Sequence, residues 1–327
     1  MASQRDVKNR IGSVKNIQKI TRAMEMVAAA RLRRAEQRIA ALRPYADALR
    51  RMTRQAALDA GAEASRLELL NERETIANVG LLLVTGDRGL AGGFNTQVIR
   101  AGMRAGAELE ERGLRTSWFA TGRRGVSSLT FRGRELSGAY TGFTDKPAYA
   151  DAREIGGELI EAYTTGALDR VELIYNSYVS PLTQEVTRET LLPLSSATIA
   201  GEEERAGAGE AGGEPGSGSV SGSRAGSVAE SRSSPAAGAG PRALVEYEPG
   251  AEEILRRLVP DYVETSIYRA LVESAAGFFG AQMTAMRNAS ENAGEIITDL
   301  TLEMNRARQA EITQEIMEVV AGAEGLS

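Results

Sequence analysis

The chain predicts an α/β fold in two parts: a long antiparallel coiled coil of its N- and C-terminal helices, and a Rossmann-like α/β domain between them. Three observations carry this. Each end holds an apolar stripe at helical spacing, far longer than a globular helix needs. The two ends differ in sign of charge. The middle alternates short apolar runs with helical patterns, the texture of a sheet with crossover connections. The 327 residues then divide into a first coiled-coil helix (1–56), an α/β domain (57–196, resuming at 243–260), a low-complexity insertion (197–242) and a last coiled-coil helix (261–327).

Residues 3 to about 55 form the first long pattern. Val7, Ile11, Val14, Ile17, Ile20, Met24, Val27, Leu32, Ala35, Ile39, Leu42, Ala46 and Leu49 recur mostly in steps of three and four. Ser3 is placed to cap it. Pro44 removes one helical hydrogen bond, which predicts a kink or break near Arg43.

Residues 56 to 75 read as a polar connector with a helical bias. Val79 to Thr85 is a short apolar run ending at Gly86, a buried strand. Asn95 to Arg112 reads as a helix closed by Gly113, Leu114 to Thr121 as a strand, and Gly122 to Phe131 as a short helix. Ala150 to Thr165 is a further helix. Val171 to Val179 and Thr183 to Leu191 are strands. Residues 197 to 242 are mostly Ala, Gly, Ser and Glu, with three prolines and no aromatic residue. They offer little apolar surface against the entropy of ordering, so a disordered insertion is expected. Ala243 to Glu248 is strand-like, Pro249-Gly250 a turn, and Ala251 to Val259 helical. Pro260 is expected to interrupt before the last helix begins.

That last helix carries Ile267, Leu271, Ala275, Phe278, Gln282, Met286, Ala289, Ala293, Ile296, Leu300, Met304 and Ala307 on one stripe. From Ile267 to Val320 it is roughly 80 Å long, about twice the width of a compact domain. One globular core cannot cover such a stripe. It needs a second long helix, or a partner that encloses it. Met1 to Arg54 holds fourteen Lys or Arg against four Asp or Glu, and Ile267 to Val320 holds four Arg against eight acids. Opposite signs on stripes joined through a middle domain make antiparallel pairing the simplest arrangement. Exposed charge pairs contribute roughly 0–1 kcal/mol each, so the salt sensitivity of such a pair should be modest. Simple packing on an ordinary core is the plain alternative for either helix, and length counts against it. No repeat of 20–50 residues is present.

Composition narrows the chemistry. There is no Cys and no His. That removes disulfides, thiol nucleophiles, His acid–base catalysis and zinc sites built on those residues. Aromatics are 5% while Ala and Gly abound, which favours close helix packing. A net charge of −5 names no partner. From Ser3 onward the start is polar, without a signal-peptide core. No run of about 18 apolar residues exists, so no membrane span is expected.

Gly86-Asp87-Arg88-Gly89-Leu90-Ala91-Gly92-Gly93-Phe94-Asn95 lies between a strand and a helix, where phosphate loops occur. Its details fit poorly. Phe94 and Asn95 stand where a P-loop has Lys and Ser or Thr, and the dinucleotide glycine spacing is absent. A tight strand-to-helix turn that offers a contact surface is the better reading. No pair of carboxylates is marked as an acid–base couple, and Glu202, Glu203 and Glu204 fall in the insertion. Arg31, Arg33 and Arg34 form a basic cluster. Nucleic-acid binding would want aromatics beside it, and this helix has only Tyr45. A protein partner with acidic loops fits better.

Three segments carry a resemblance. They are Ile17-Gln18-Lys19-Ile20-Thr21-Arg22-Ala23-Met24-Glu25-Met26-Val27-Ala28, then Gly86 to Asn95, then Asn305-Arg306-Ala307-Arg308-Gln309-Ala310-Glu311-Ile312-Thr313-Gln314-Glu315-Ile316. In order and separation the chain resembles the gamma subunit of the F-type ATP synthase, over nearly all its length except residues 197 to 242. The resemblance implies a central rotor stalk that couples c-ring rotation, driven by proton flow, to ATP synthesis or hydrolysis at the beta subunits. It implies alpha and beta subunits around the paired helices, and the epsilon subunit and c-ring below. It implies no nucleic-acid partner, no cofactor and no catalytic residue of its own. The place implied is the cytoplasmic side of the cell membrane, peripheral through the complex. Residue by residue, Met24 aligns with a methionine facing a beta-subunit acidic loop. Arg308, Gln309, Thr313 and Glu315 align with polar contacts to beta-subunit catch loops. Tyr247, in Glu246-Tyr247-Glu248-Pro249, lies where the family meets epsilon and the c-ring. Two departures stand out: Ala91 replaces a common Cys, and the insertion is long, repetitive and free of Cys. Two other readings compete. A general coiled-coil scaffold or adaptor would tolerate changes such as Met24→Lys, and an α/β enzyme holding phosphate in the glycine turn would bind nucleotide until Gly92→Val.

Overall fold

A computed structural model describes residues 4–61, 67–194 and 250–324. Ser3, the insertion at 197–242 and the strand expected at Ala243 to Glu248 lie outside the described residues. Helix α1 spans Gln4–Ala60 and helix α5 spans Ala251–Glu324. At 1.5 Å per residue they are about 85 Å and about 110 Å long. They run antiparallel. Val7 and Ile11 cluster with Leu300 at one end, and Leu49 and Ala56 with Leu255 at the other. Between these, the Gln18 amide donates to the Ser290 carbonyl at 3.2 Å.

The seam on α1 is stricter than the sequence pattern suggested. Residues 7, 11, 14, 18, 21, 25, 28, 32, 35, 39, 42, 46, 49, 53, 56 and 60 are all buried or half-buried. These alternate in steps of four and three, the 3.5-residue repeat of a coiled coil. Ile17, Ile20 and Val27 are therefore not on the seam, and each is more than half exposed. Gln18, Thr21 and Ala28 take the inner positions instead. On α5 the same correction moves Ile296 outward (48% exposed) and seats Ile297.

Neither proline breaks its helix. Arg43, Pro44 and Tyr45 all face solvent, so water can satisfy the carbonyl that loses its partner. Around Pro260, Leu255 and Val259 on one side and Tyr262 and Val263 on the other join a single core cluster. Burial on both sides outweighs the one missing bond. The expected charge pairing also differs. An ion pair joining the helices sets Glu25 of α1 against Arg287 of α5 at 2.9 Å, the reverse of the bulk polarity. Lys15, Lys19 and Arg22, like Glu291, Glu295 and Asp299, stay exposed.

Between the helices lies the sheet. After a short 3-10 turn at Glu68–Leu70 come β1 (Asn78–Val84), α2 (Phe94–Glu111), β2 (Arg115–Thr121), α3 (Arg123–Phe131), β3 (Leu136–Tyr140), α4 (Tyr149–Thr164), β4 (Arg170–Tyr178) and β5 (Gln184–Leu192). The order is β3-β2-β1-β4-β5, parallel except for the final antiparallel pair β4–β5. Alternation along β1 divides the core. Val79, Leu81 and Leu83 pack with Val98, Ala105, Leu109 and Trp118 on the α2 side. Leu82 and Val84 face Ile155 and Leu159 of α4 and Ile267 and Leu271 of α5. Strand β3 is absent from the sequence reading because Ser137, Gly138 and Ala139 carry little strand preference.

Helix α5 thus has two inner faces in its first half. One meets α1 and the other meets the sheet. Hence nearly every residue from Tyr262 to Gly280 is buried, whereas beyond Met286 only the seam toward α1 is. Past Ala307 no side chain described on α5 is covered, because α1 has ended.

Candidate functional site

The glycine turn is built by side chains that hold its backbone. The Asn95 carbonyl oxygen accepts from the Gly86 amide at 2.8 Å, and its amide donates to the Arg88 carbonyl at 3.0 Å. Leu90 sits at φ +64 and Gly92 at φ +54, the left-handed conformations of a reversal. Asp87 points into the ends of neighbouring strands. Its carboxylate accepts from the Arg123, Gly142 and Thr144 amides at 3.0–3.2 Å and from the Thr144 hydroxyl at 2.8 Å. Burial pushes this carboxyl up, but the hydrogen bonds from Thr144, Gly142 and Arg123 outweigh it, so the pKa falls below the usual value.

That arrangement counts against the phosphate reading. The turn's Gly86 and Asp87 amides are taken by the Asn95 side chain and the Thr144 hydroxyl, and the turn brings an anion of its own, Asp87, held by amides of the neighbouring strand ends. At Gly122, where β2 enters α3, φ is +83 and an added Cβ would lie 2.2 Å from the Thr85 carbonyl oxygen. Only glycine lets these two strand ends close around Asp87. Among the described residues no cluster of three or more acidic side chains could hold a metal ion, and no helix is long and apolar enough to cross a membrane.

What the turn does touch is the shaft. Ala91 and Phe94 join Leu32, Ala35 and Ile39 of α1 and Val272, Ala276, Phe278 and Phe279 of α5 in one buried cluster. Phe94 meets Phe278 edge-on, centroids 5.6 Å apart at 82°. Arg31 of α1 bonds Asp145 at 3.2 Å and lies over the Phe279 ring at 5.7 Å. The basic cluster is thereby split: Arg31 is engaged within the chain, while Arg33 and Arg34 face solvent.

The residues marked by motif are spread along the shaft. Met24 is half-buried beside Glu25 and the Arg287 ion pair. Arg308, Gln309, Thr313 and Glu315 are exposed on the overhang of α5, where the Thr313 hydroxyl donates back to the Gln309 carbonyl at 2.8 Å. Arg308 stands 21 residues beyond Arg287, about 30 Å further along the axis, so the two groups form separate contact zones. Tyr247 lies outside the described residues. The sequence reading missed a further feature: with the seam in its true register, Ile17, Ile20 and Val27 form an outward apolar surface around Met24. A strict seven-residue count from Val7 would have found it.

A family model described as ATP synthase matches residues 3–326. The ATP synthase gamma chain of Rubrobacter xylanophilus is 41% identical, over 100% of this chain and 99% of its own. Two solved structures share the fold. A chain of the Euglena gracilis mitochondrial ATP synthase aligns over 99% of this chain and 94% of its own, with TM-score 0.61 at 14% identity. A chain in the central stalk and c-ring structure of the Tetrahymena thermophila mitochondrial ATP synthase covers 83% and 99%, with TM-score 0.55 at 21% identity.

Proposed function

We infer the function from one premise: the chain belongs to the ATP synthase gamma-chain family. It is a subunit of ATP synthase, a membrane-associated complex. Its role is that of a central rotor stalk, which transmits rotation between a proton-driven c-ring and the catalytic beta subunits. The subunit itself performs no catalysis. The observation that carries this is the α5 overhang. From Arg308 to Val319 every side chain is exposed, and Ile312, Ile316, Met317 and Val319 are among them. A helix tip of that length and composition calls for an enclosing partner. A ring of alternating alpha and beta subunits supplies one, and a general scaffold gives no account of the family membership.

In this reading Met24 and the apolar surface around it slide against a beta-subunit acidic loop, a contact that a soft thioether suits. Arg308, Gln309, Thr313 and Glu315 meet the beta subunits higher up. The α/β domain faces the epsilon subunit and the c-ring, with Tyr247 assigned there on its motif alone. The complex places the chain on the cytoplasmic side of the cell membrane, peripherally. The same reading divides the chain into two shaft helices, an α/β domain and the insertion at 197–242. Co-purification tests it: tagged chain should bring alpha, beta and epsilon subunits from membranes, and recovery of none of them would end the proposal.

A further inference from the structure

The two shaft helices are attached to the α/β domain in unequal ways. Helix α5 is part of the domain core, with Val263, Ile267 and Leu271 packed among Leu82, Leu159 and Leu173. Helix α1 reaches that core only at its far end, through Leu49, Ala56 and Ala60; near the glycine turn its Leu32, Ala35 and Ile39 join an apolar cluster with Ala91, Phe94 and Phe279. Apolar contact is non-directional. It opposes separation, but it resists sliding or rolling of a helix weakly.

Two polar links supply direction. Arg31 donates to Asp145, in the loop after β3, at 3.2 Å. Tyr178, at the end of β4, donates its hydroxyl to Glu36. Arg31 and Glu36 are five residues apart, about 140° around the helix axis, so the links grip α1 from two sides of its buried stripe. Both are anchored behind. Asp145 also pairs with Arg88 at 3.3 Å, and its neighbour Thr144 is tied to Asp87. Beside Tyr178, the Ser177 hydroxyl donates to Glu273 of α5 at 2.9 Å, and Asn176 donates to the Phe94 carbonyl at 3.3 Å.

We propose that Asp145 and Tyr178 are positioning residues for torque transfer: they seat α1 in a saddle at the ends of β3 and β4, so that both shaft helices turn with the α/β domain. This rests on the rotor reading. Torque crosses the saddle only when the c-ring and the catalytic ring work against each other. An unloaded catalytic subcomplex does not need it.

The test is the double variant Asp145→Asn with Tyr178→Phe, near-isosteric changes that leave the apolar cluster intact, with each single variant beside it. In vesicles carrying the whole complex, gradient-driven ATP synthesis should fall about threefold or more, each link contributing up to about fivefold. ATP hydrolysis by the detached alpha–beta–gamma subcomplex should stay at the wild-type rate, and Asp145→Glu should restore part of the synthesis. Unchanged synthesis, or hydrolysis falling in step with it, overturns the proposal. Hydrogen exchange on the full-length chain separates this from failure of the rotor reading. Amides of residues 28–40 should exchange about tenfold faster in the double variant, and equal exchange refutes the links whatever the complex does.

Discussion

Replacing Phe278 by alanine probes the joint between shaft and α/β domain. Phe278 is 4% exposed. It meets Phe94 at 5.6 Å and Phe279 at 5.7 Å, both edge-to-face. Its ring lies so close to Gly86 that an added Cβ there would approach within 3.1 Å. Loss of a buried Phe costs about 3–5 kcal/mol. The wall opposite is poorly able to collapse into the gap, since Asn95 holds both Gly86 and Arg88 by their backbones. The expected loss is therefore in the upper half of that range, about 4 kcal/mol. Urea unfolding of the full-length chain reads it through Trp118, the sole tryptophan, buried in the sheet core. Phe94→Ala should interact with it: the double variant should be less destabilised than the sum by about 1 kcal/mol, the worth of one edge-to-face pair. A loss under about 1.5 kcal/mol, or strict additivity, refutes the claim that this joint bonds the two parts.

Gly122→Ala should destabilise the chain by about 2 kcal/mol or more, because it meets both a positive φ and the Thr85 carbonyl; a thermal melt within a degree of wild type would contradict this. Asp87 predicts an acid effect of definite sign. Its folded pKa is lowered, so its contribution is present above the ordinary value of 3.8 and is lost as pH falls through the folded value. Asp87→Asn should thus cost stability at neutral pH and make acid unfolding shallower, which circular dichroism across pH would register. Met24→Lys should leave folding intact, since the side chain is only half-buried, but lower gradient-driven ATP synthesis severalfold in the assembled complex; full activity would favour a tolerant scaffold over a rotor.

Much of this fold was legible in the sequence because its determinants are local. Strands β1, β2, β4 and β5 and the helices between them follow from short periodic runs and from glycines such as Gly113. The pairing of the ends was read from the length of the two stripes and from their opposite charge, and it is the length that the structure explains. The misses have physical causes. At Ile17, Ile20 and Val27 hydrophobicity misled, because the seam is set by a seven-residue count that seats Gln18, Thr21 and Ala28. Pro260 was read by its local cost as an interruption, whereas tertiary packing keeps the helix unbroken there; at Pro44 the helix is likewise unbroken. The glycine turn was correctly read as a turn and contact surface, but its reason needed coordinates. Asp87 finds its amide partners 36 to 57 residues away, at Arg123, Gly142 and Thr144. Reading the bulk charges of the two ends as complementary did not predict the Glu25–Arg287 pair, which depends on which few side chains the register brings together.

An image of the assembled ATP synthase, with this chain traced, tests the central claim most directly. The account predicts α1 and α5 side by side and antiparallel along the central axis, with Met24 at the mouth of the ring and the α5 tip enclosed by alpha and beta subunits. A map showing the two helices apart from each other, or the pair lying outside the ring, would contradict it.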